Sequence, residues 1–167
     1  MDFSALERLV AIEDIRRLKA ERDRAVDERD WELYKSMHTP DFVSYKPGGE
    51  DWVGAQMAAD EAAAFLRGVI SIHHSGSPVI TFQSASEAAG HWTLKDHMFW
   101  EEDGESYWWK GYGTYDETYV LLDERWFFKT RLLNRTWVEH SPGAVFPRRA
   151  QNDGKRPHSA EHPPSTV

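Results

Sequence analysis

Cysteine does not occur in the 167 residues, so disulfide bonds, thiolate zinc sites and cysteine nucleophiles are excluded. No apolar run approaches the roughly 20 residues that a membrane-spanning helix needs. The N-terminal residues lack the basic and apolar segments of a secretory signal, and we therefore expect a soluble, cytoplasmic protein that does not contact a membrane. Basic residues are outnumbered, with 20 Lys and Arg against 28 Asp and Glu, and this net charge of -8 argues against nucleic-acid binding.

The residues that are present are typical of a folded domain with a large core. Hydrophobic residues make up 40% and aromatic residues 13% of the chain, which is enough for the core of one domain over residues 1–140. The composition then changes, because five of the eight prolines follow residue 140. We expect residues 141–167 to form a proline-rich C-terminal tail that is partly disordered.

Hydrophobic residues recur at helical spacing through much of the first half of the chain. Ser4 and Glu7 form a capping box, which predicts a first helix that begins here and continues to residue 29. Asp30 can cap a short second helix, and the alanine-rich stretch 55–70 predicts a third. A short strand at 42–45 is predicted between the second and third helices.

The hydrophobic period changes to two in the second half, which is typical of strands. Tight turns separate long strands there, so we expect an antiparallel meander with the helices packed on one of its faces. This order of elements predicts an α+β domain. The expected strands are 79–83, 88–101, 106–122 and 126–139.

Three charged residues lie where the pattern predicts apolar ones. Arg22 lies on the buried stripe of the first helix. Its guanidinium needs an ion-pair partner or a solvated cavity, unless the aliphatic part of the side chain is buried and the guanidinium reaches solvent. Asp96 interrupts the apolar face of the 88–101 strand, either as half of a structural ion pair or as a carboxyl group in a pocket. Arg135 lies between two apolar residues of the last strand, where it either pairs across the sheet or is solvated.

Two further features stay open from the residues alone. His73 and His74 adjoin at the expected junction of the third helix and the sheet, where they can be structural or catalytic. Asp27 falls outside the buried stripe of the first helix, so helical geometry predicts that it is exposed. The histidines lack the spacing of metal ligands and no nucleotide-binding glycine pattern is complete, so we expect neither a metal nor a cofactor.

A series of short motifs runs in order along the chain from about residue 5 to residue 140. The motifs are the segments 12–19, 26–31, 39–41, 73–80, 90–96 and 126–135. In order and spacing they resemble the SnoaL-like branch of the nuclear-transport-factor-2-like superfamily. Its members include bile-acid 7α-dehydratase, which is the most similar in motif order, scytalone dehydratase and related cofactor-free lyases.

The resemblance implies a cone-shaped, curved antiparallel sheet (an α+β barrel) whose pocket is closed by the N-terminal helices. It also implies a set of site residues that project into this pocket. The position of Arg22 is a departure, because the bile-acid dehydratase has a tyrosine there. The implied catalytic residues are Asp27, His73, Tyr45 and Asp96, and the implied substrate-binding residues are Arg22 and Arg135.

The activity implied by the resemblance is that of a cofactor-independent lyase, which releases water, a small aldehyde or a halide. The substrate class would be a hydrophobic aromatic or polycyclic molecule, such as a lignin-derived diaryl compound, and the general base would be an Asp27–His73 dyad. The alternatives are an isomerase or cyclase with the same dyad, or a non-catalytic small subunit of an aromatic-ring dioxygenase. Members of the family are commonly dimers or trimers, and we expect a homodimer or homotrimer here.

Overall fold

The computed structural model describes residues 4–145 and confirms the predicted α+β fold class. Three helices and six strands form in this part of the chain, and none of these helices is long and apolar enough to span a membrane. The predicted tail lies outside the described residues from residue 146 onward. The elements are α1 (Ala5–Glu28), α2 (Trp31–Ser36), β1 (His38–Tyr45), β2 (Trp52–Val53), α3 (Ala55–Phe65), β3 (Ile70–Ser84), β4 (Glu87–Glu102), β5 (Glu105–Leu122) and β6 (Arg125–His140).

Helix α1 begins at the predicted capping box. The Glu7 N–H donates to the Ser4 hydroxyl at 3.3 Å, and the Ser4 N–H donates to the Glu7 carboxylate at 2.8 Å. The helix ends where Arg29 adopts a left-handed conformation with a φ of 65°. The last turn of α1, which carries Asp27, packs against β3 and does not run on into solvent.

The sheet is open and has the strand order β2-β1-β6-β5-β4-β3. Strands β3 to β6 form the predicted antiparallel meander, whereas β1 pairs parallel to β6 and antiparallel to β2. The architecture thus differs from the expected antiparallel barrel in two details, since the sheet is not closed and one pairing is parallel. A local pattern predicts that residues 42–45 form a strand, but the partner of that strand depends on long-range packing.

The helices cover one face of the curved sheet, which we name the inner face, and the opposite face is the outer face. On β4 the predicted apolar residues Trp92, Leu94, Met98 and Trp100 are buried on the inner face. Asp96 lies among them and is 1% exposed. The core and the sequence-predicted site residues of β4 therefore share the inner face.

Strand β3 is longer than predicted, because it begins at Ile70 and not at residue 79. The third helix ends at Phe65 and is therefore shorter than the predicted helix. The residues around Pro78 predict a strand boundary, but the structure accommodates them in a bulge that leaves the strand continuous. His73 therefore lies inside a strand and not at a junction between elements.

Strand β6 contains two register shifts, which change the predicted faces of its residues. Strict alternation places Phe128 and Arg131 on opposite faces. In the structure Phe128 opposes Tyr119 and Arg131 opposes Glu117, and all four residues are buried on the inner face. The intervening bulge, which an alternating pattern cannot reveal, adds the extra residue that brings Arg131 to this face.

His38 is buried at the start of β1 and is held as a neutral ring. Its Nδ1 lies 2.6 Å from the Tyr34 carbonyl oxygen, so Nδ1 carries the hydrogen. The ring stacks on Phe128 and contacts the Phe42 ring edge-on. Burial, followed by repulsion from Arg22, lowers the pKa of His38 to about 3.

We expect His38 to make the stability of the protein sensitive to acid at pH values above those at which carboxylates titrate. Between pH 6.5 and about 3 the unfolded chain binds a proton at His38 and the folded protein does not. The free energy of unfolding therefore falls as the pH falls through this window, by up to about 1.4 kcal/mol for each pH unit. Urea unfolding of wild type and His38→Asn at about pH 6.5 and about pH 5 measures this slope, which the variant should flatten.

The matched control is His74→Asn, because His74 is exposed on the outer face of β3. This variant should keep the wild-type slope. An equal slope in wild type and His38→Asn would show that His38 is not held neutral.

Candidate active site

Asp27 and His73 form a hydrogen-bonded pair between the end of α1 and the inner face of β3. Asp27 Oδ1 lies 2.7 Å from His73 Nδ1, and Asp27 Oδ2 accepts a hydrogen bond from the His73 backbone N–H at 2.8 Å. Both carboxylate oxygens are therefore fixed against one residue. The helical wheel predicts an exposed Asp27, but its side chain is only 22% exposed because the sheet covers the last turn of α1.

Ser71 and Arg29 hold the Asp27 carboxylate in place. The Ser71 hydroxyl donates to Asp27 Oδ1 at 2.8 Å, and the Arg29 guanidinium donates to Ser71 Oγ at 2.8 Å. Arg29 also donates to the Val69 carbonyl, which ties the end of α1 to the segment that leads into β3. Burial raises the pKa of Asp27, but the hydrogen bonds and charge of His73 and the bond from Ser71 outweigh it and hold the pKa below its usual value.

The contact with Asp27 determines which ring nitrogen of His73 is free. A carboxylate only accepts hydrogen bonds, so Nδ1 carries the hydrogen of the neutral ring and Nε2 is the unprotonated nitrogen. No residue between 4 and 145 forms a hydrogen bond with Nε2. The pair can therefore take a proton from a bound molecule at Nε2, while Asp27 stabilises the imidazolium that results.

Asp96 and Arg135 form a two-bond ion pair that crosses strand β5. Arg135 Nη1 donates to Asp96 Oδ1 at 2.7 Å, and Nη2 donates to Oδ2 at 2.5 Å. The pair passes over Gly111, where a Cβ atom would lie 1.9 Å from Arg135 Nη1. A side chain at position 111 would exclude the pair. Both oxygens of Asp96 act as acceptors, which favours a role in holding charge over a role in donating a proton.

Strand pairing brings these groups into one row on the inner face. His73 and Asp96 oppose each other across β3 and β4, so their Cβ atoms are about 4.5–5.5 Å apart. The row runs from Asp27 through His73 and Asp96 to Arg135. Its ends are partly open to solvent, with side-chain exposures of 22% for Asp27 and 29% for Arg135. Within residues 4–145, no three His, Asp or Glu side chains are grouped so that they could hold a metal ion.

The structure does not bring Tyr45 to this row. In the parallel pairing of β1 with β6, Ser44 opposes Arg131 and Tyr45 opposes Leu132. Tyr45 therefore shares the outer face with Leu132, and it is 44% exposed. Alternation along β1 places Ser44, the neighbour of Tyr45, on the inner face.

The sequence also matches a known protein family over the region from α1 into β6. The SnoaL-like domain matches residues 7–132, which is well over half of the chain. The chain belongs to the SnoaL-like family. This assignment, within the nuclear-transport-factor-2-like superfamily, confirms the resemblance that the short motifs predict.

Solved structures with this SnoaL-like fold include named enzymes. LinA type 2, a hexachlorocyclohexane dehydrochlorinase, is 22% identical with a TM-score of 0.74, and the match covers 86% of this chain and 97% of that chain. LinA type 3 from Novosphingobium barchaimii is 21% identical with a TM-score of 0.72, over 86% and 98% of the two chains. A scytalone dehydratase-like protein from Novosphingobium aromaticivorans is 21% identical with a TM-score of 0.72, over 81% and 91%. At these identities the similarity establishes the fold alone.

A buried network of charges lies beside the row in this SnoaL-like protein. Lys19 Nζ is 2.7 Å from Glu117 Oε1 and 3.9 Å from Asp23 Oδ1. Arg22 Nη1 donates to Asp23 Oδ1 at 2.9 Å, so the charged partner of Arg22 lies on the same helix. The Tyr119 hydroxyl donates to Glu117 Oε2 at 2.6 Å. Paired cations hold the pKa of Asp23 far below its usual value, although burial acts in the opposite direction.

Sequence reasoning did not identify four charged residues of this buried network: Lys19, Asp23, Glu117 and Arg131. A signal exists for the first two, because Lys19 and Asp23 are spaced i, i+4 around Arg22 on the same helix. Glu117 and Arg131 are opposite charges at one register position of β5 and β6. That juxtaposition becomes visible only when the register is known.

Proposed function

We propose that this SnoaL-like protein is a cofactor-independent lyase in which the Asp27–His73 dyad is the general base. The observation that carries the proposal is the 2.7 Å contact from Asp27 Oδ1 to His73 Nδ1, which leaves Nε2 free on the inner face. Histidine is the side chain whose ordinary pKa, about 6.5, suits proton abstraction near neutral pH. The dehydrochlorinase and dehydratase-like proteins with the same fold support an elimination, since their names describe that class of reaction.

The proposed reaction is an elimination with His73 as its first proton acceptor. Nε2 takes a proton from a substrate carbon, and the electron pair of the broken C–H bond forms a C=C double bond. The bond from the neighbouring carbon to the leaving group breaks, and the leaving group departs with the electron pair of this second bond. When the leaving group is a hydroxyl, the proton returns to it from the imidazolium and water is released. When an aldehyde is released, Nε2 takes the proton of a substrate hydroxyl, the O–H electron pair forms the C=O bond, and the C–C bond breaks with its electron pair left on the other carbon, which the imidazolium protonates. Asp27 lowers the energy of the imidazolium throughout.

Arg135 is proposed to stabilise the charge that develops on the leaving group, and Arg22 is proposed to bind the substrate. Arg135 lies on β6, three strands from His73, and is fixed by Asp96 of β4, the strand next to His73. The Arg135 guanidinium lies over the Trp109 ring with Cζ 4.6 Å from the ring centroid. A fixed cation beside a developing anion costs no reorganisation during the reaction. Asp96 is assigned here to positioning Arg135, because both of its oxygens are engaged by the guanidinium.

The proposed substrates are hydrophobic aromatic or polycyclic molecules, with lignin-derived diaryl compounds first among them. Inner-face residues beside the row are apolar or aromatic, among them Leu94, Trp109 and Leu133. Such walls bind flat apolar molecules and exclude water from the proton transfer.

A substrate screen without added cofactor or metal tests the proposal. Purified protein is incubated with phenolic diaryl, steroid and polyketide compounds in the presence of a chelator, and absorbance and product mass are followed. We expect a product that is lighter than its substrate by water, a hydrogen halide or a small aldehyde. A product of unchanged mass would identify an isomerase or cyclase, and activity abolished by the chelator would overturn the cofactor-independent assignment.

A further inference from the structure

Three cations on the inner face are incompletely paired among residues 4–145. Arg131 is 8% exposed, and its one ion pair, from Nε to Glu117 Oε1, is long at 3.8 Å. Nε of Arg131 and Nε of Arg22, which is 3% exposed, both lack a hydrogen-bond partner among residues 4–145, although Nη1 of Arg22 is bound to Asp23. Lys46 Nζ lies 3.4 Å from the centroid of the Trp52 ring and has no carboxylate within ion-pair distance among these residues. We name Arg22, Lys46 and Arg131 the cation triad.

The strands and helix that carry the cation triad bring its members together. Arg22 and Arg131 both lie against the Tyr115 ring, with Cζ atoms 5.9 Å and 3.9 Å from its centroid. Ser44 opposes Arg131 in the parallel pairing of β1 and β6 and opposes Trp52 in the pairing of β1 with β2. Lys46 follows the end of β1 and lies over the Trp52 ring, which places it on the same inner face. The triad therefore occupies the space between α1, the end of β1 and β6.

The ion pairs around the triad contain more cations than carboxylates. The cations Lys19, Arg22 and Arg131 face two carboxylates, Asp23 and Glu117, and Lys46 adds a further cation. The charged groups that act most strongly on Lys46 are Arg131 and Arg135 from β6, Arg22 from α1 and the carboxylate Glu61 from α3, and the Asp51 carboxylate accepts a hydrogen bond from the Lys46 backbone N–H. An excess of positive charge in a partly buried site is stabilised by a bound anion.

We propose that the substrate of this protein carries a carboxylate that binds between Arg22, Lys46 and Arg131. Arginine presents planar N–H pairs that match the two oxygens of a carboxylate, and lysine adds a point charge. The inference rests on the proposed function in one respect, since it takes the inner face beside the dyad to be the substrate site. It adds a class of substrate, the aromatic or polycyclic acids.

Binding of two probes of equal shape and different charge tests the inference without turnover. Fluorine NMR measures the affinity of the full-length protein for para-fluorobenzoate and for its neutral counterpart, para-fluorobenzamide. We expect the benzoate to bind about tenfold more tightly, which corresponds to about 1.4 kcal/mol. Lys46→Met should remove most of this preference and Lys46→Arg should keep it, whereas Lys95→Met, which removes an exposed lysine of the outer face, should change nothing.

The pH dependence of benzoate binding gives a second readout. Burial, followed by repulsion from Arg131 and Arg22, lowers the pKa of Lys46 to about 7. An anion binds better when Lys46 is protonated, so wild-type affinity should fall as the pH rises through 7, and Lys46→Met should lose this dependence. Equal affinity for the two probes, no binding of either, or unchanged benzoate affinity in Lys46→Met would each overturn the inference.

The outcome is separable from that of the proposed function. His73→Ala should bind para-fluorobenzoate as the wild type does, because His73 is not part of the triad. Selective benzoate binding without turnover of any compound would leave the triad established and the lyase rejected. Turnover of neutral compounds with no preference for the benzoate would support the lyase and reject the carboxylate site at the triad.

Discussion

His73→Ala should lower kcat for the cognate substrate by about 100- to 10,000-fold, which is the usual contribution of a general base. Asp27→Asn should lower kcat by a comparable factor, since an amide can donate to Nδ1 and so reverse the tautomer that leaves Nε2 free. The measurement is steady-state kinetics on the compound that the substrate screen identifies. KM should change much less than kcat, because neither side chain is proposed to hold the substrate.

The chain offers a matched control for this experiment in His74→Ala. His74 is adjacent in sequence and exposed, and strand alternation places it on the outer face opposite Lys95. His74→Ala should retain wild-type kcat. Near-normal turnover in His73→Ala or in Asp27→Asn would reject the dyad as the base and, with it, the proposed mechanism.

Lys19→Met should lower the free energy of unfolding by about 3–5 kcal/mol, the range for removing one partner of a buried ion pair. The Lys19 and Glu117 side chains are 1% and 0% exposed, and their charged atoms are 2.7 Å apart. Methionine preserves most of the volume, so the loss comes from the Glu117 charge, which remains buried without its main partner. Urea unfolding at neutral pH measures the change.

The control uses the exposed pair of the same helix, Arg16 with Glu13, whose side chains are 55% and 69% exposed. Arg16→Met should change the free energy of unfolding by less than about 0.5 kcal/mol. The double variant Lys19→Met/Glu117→Gln should recover part of the loss, because it removes the uncompensated charge. A loss in Lys19→Met no larger than that in Arg16→Met would show that the interior tolerates the Glu117 charge.

The elements that the sequence predicted well are those fixed by contacts between near neighbours. The capping box joins residues three apart, and the alternation of β4 depends on residues two apart. The turn between β4 and β5 needs left-handed residues, which Asp103 and Gly104 supply with φ values of 53° and 81°. The start of β3 was missed because the local turn signal around Pro78 is also satisfied by a bulge within a strand.

The candidate site was predicted in part, by two kinds of reasoning. Arg22 and Asp96 stand out because a charge interrupts an apolar pattern, and the structure gives each of them a charged partner. Asp27 was indicated by the family resemblance against the helical wheel, and it contacts His73. Tyr45 was also indicated by the resemblance, but the alternation of β1 places it on the outer face.

The sequence by itself determined the fold class, the long helix with its cap, three strands of the meander and the unusual position of Arg22 and Asp96, because all of these are written in residues a few positions apart. Tertiary structure alone decided the parallel pairing of β1 with β6, the bulge that turns Arg131 inward and the placement of Lys46 on the same face as Arg22. Those features depend on the register between segments that lie far apart in the chain, and a register is chosen by the packing of the whole inner face.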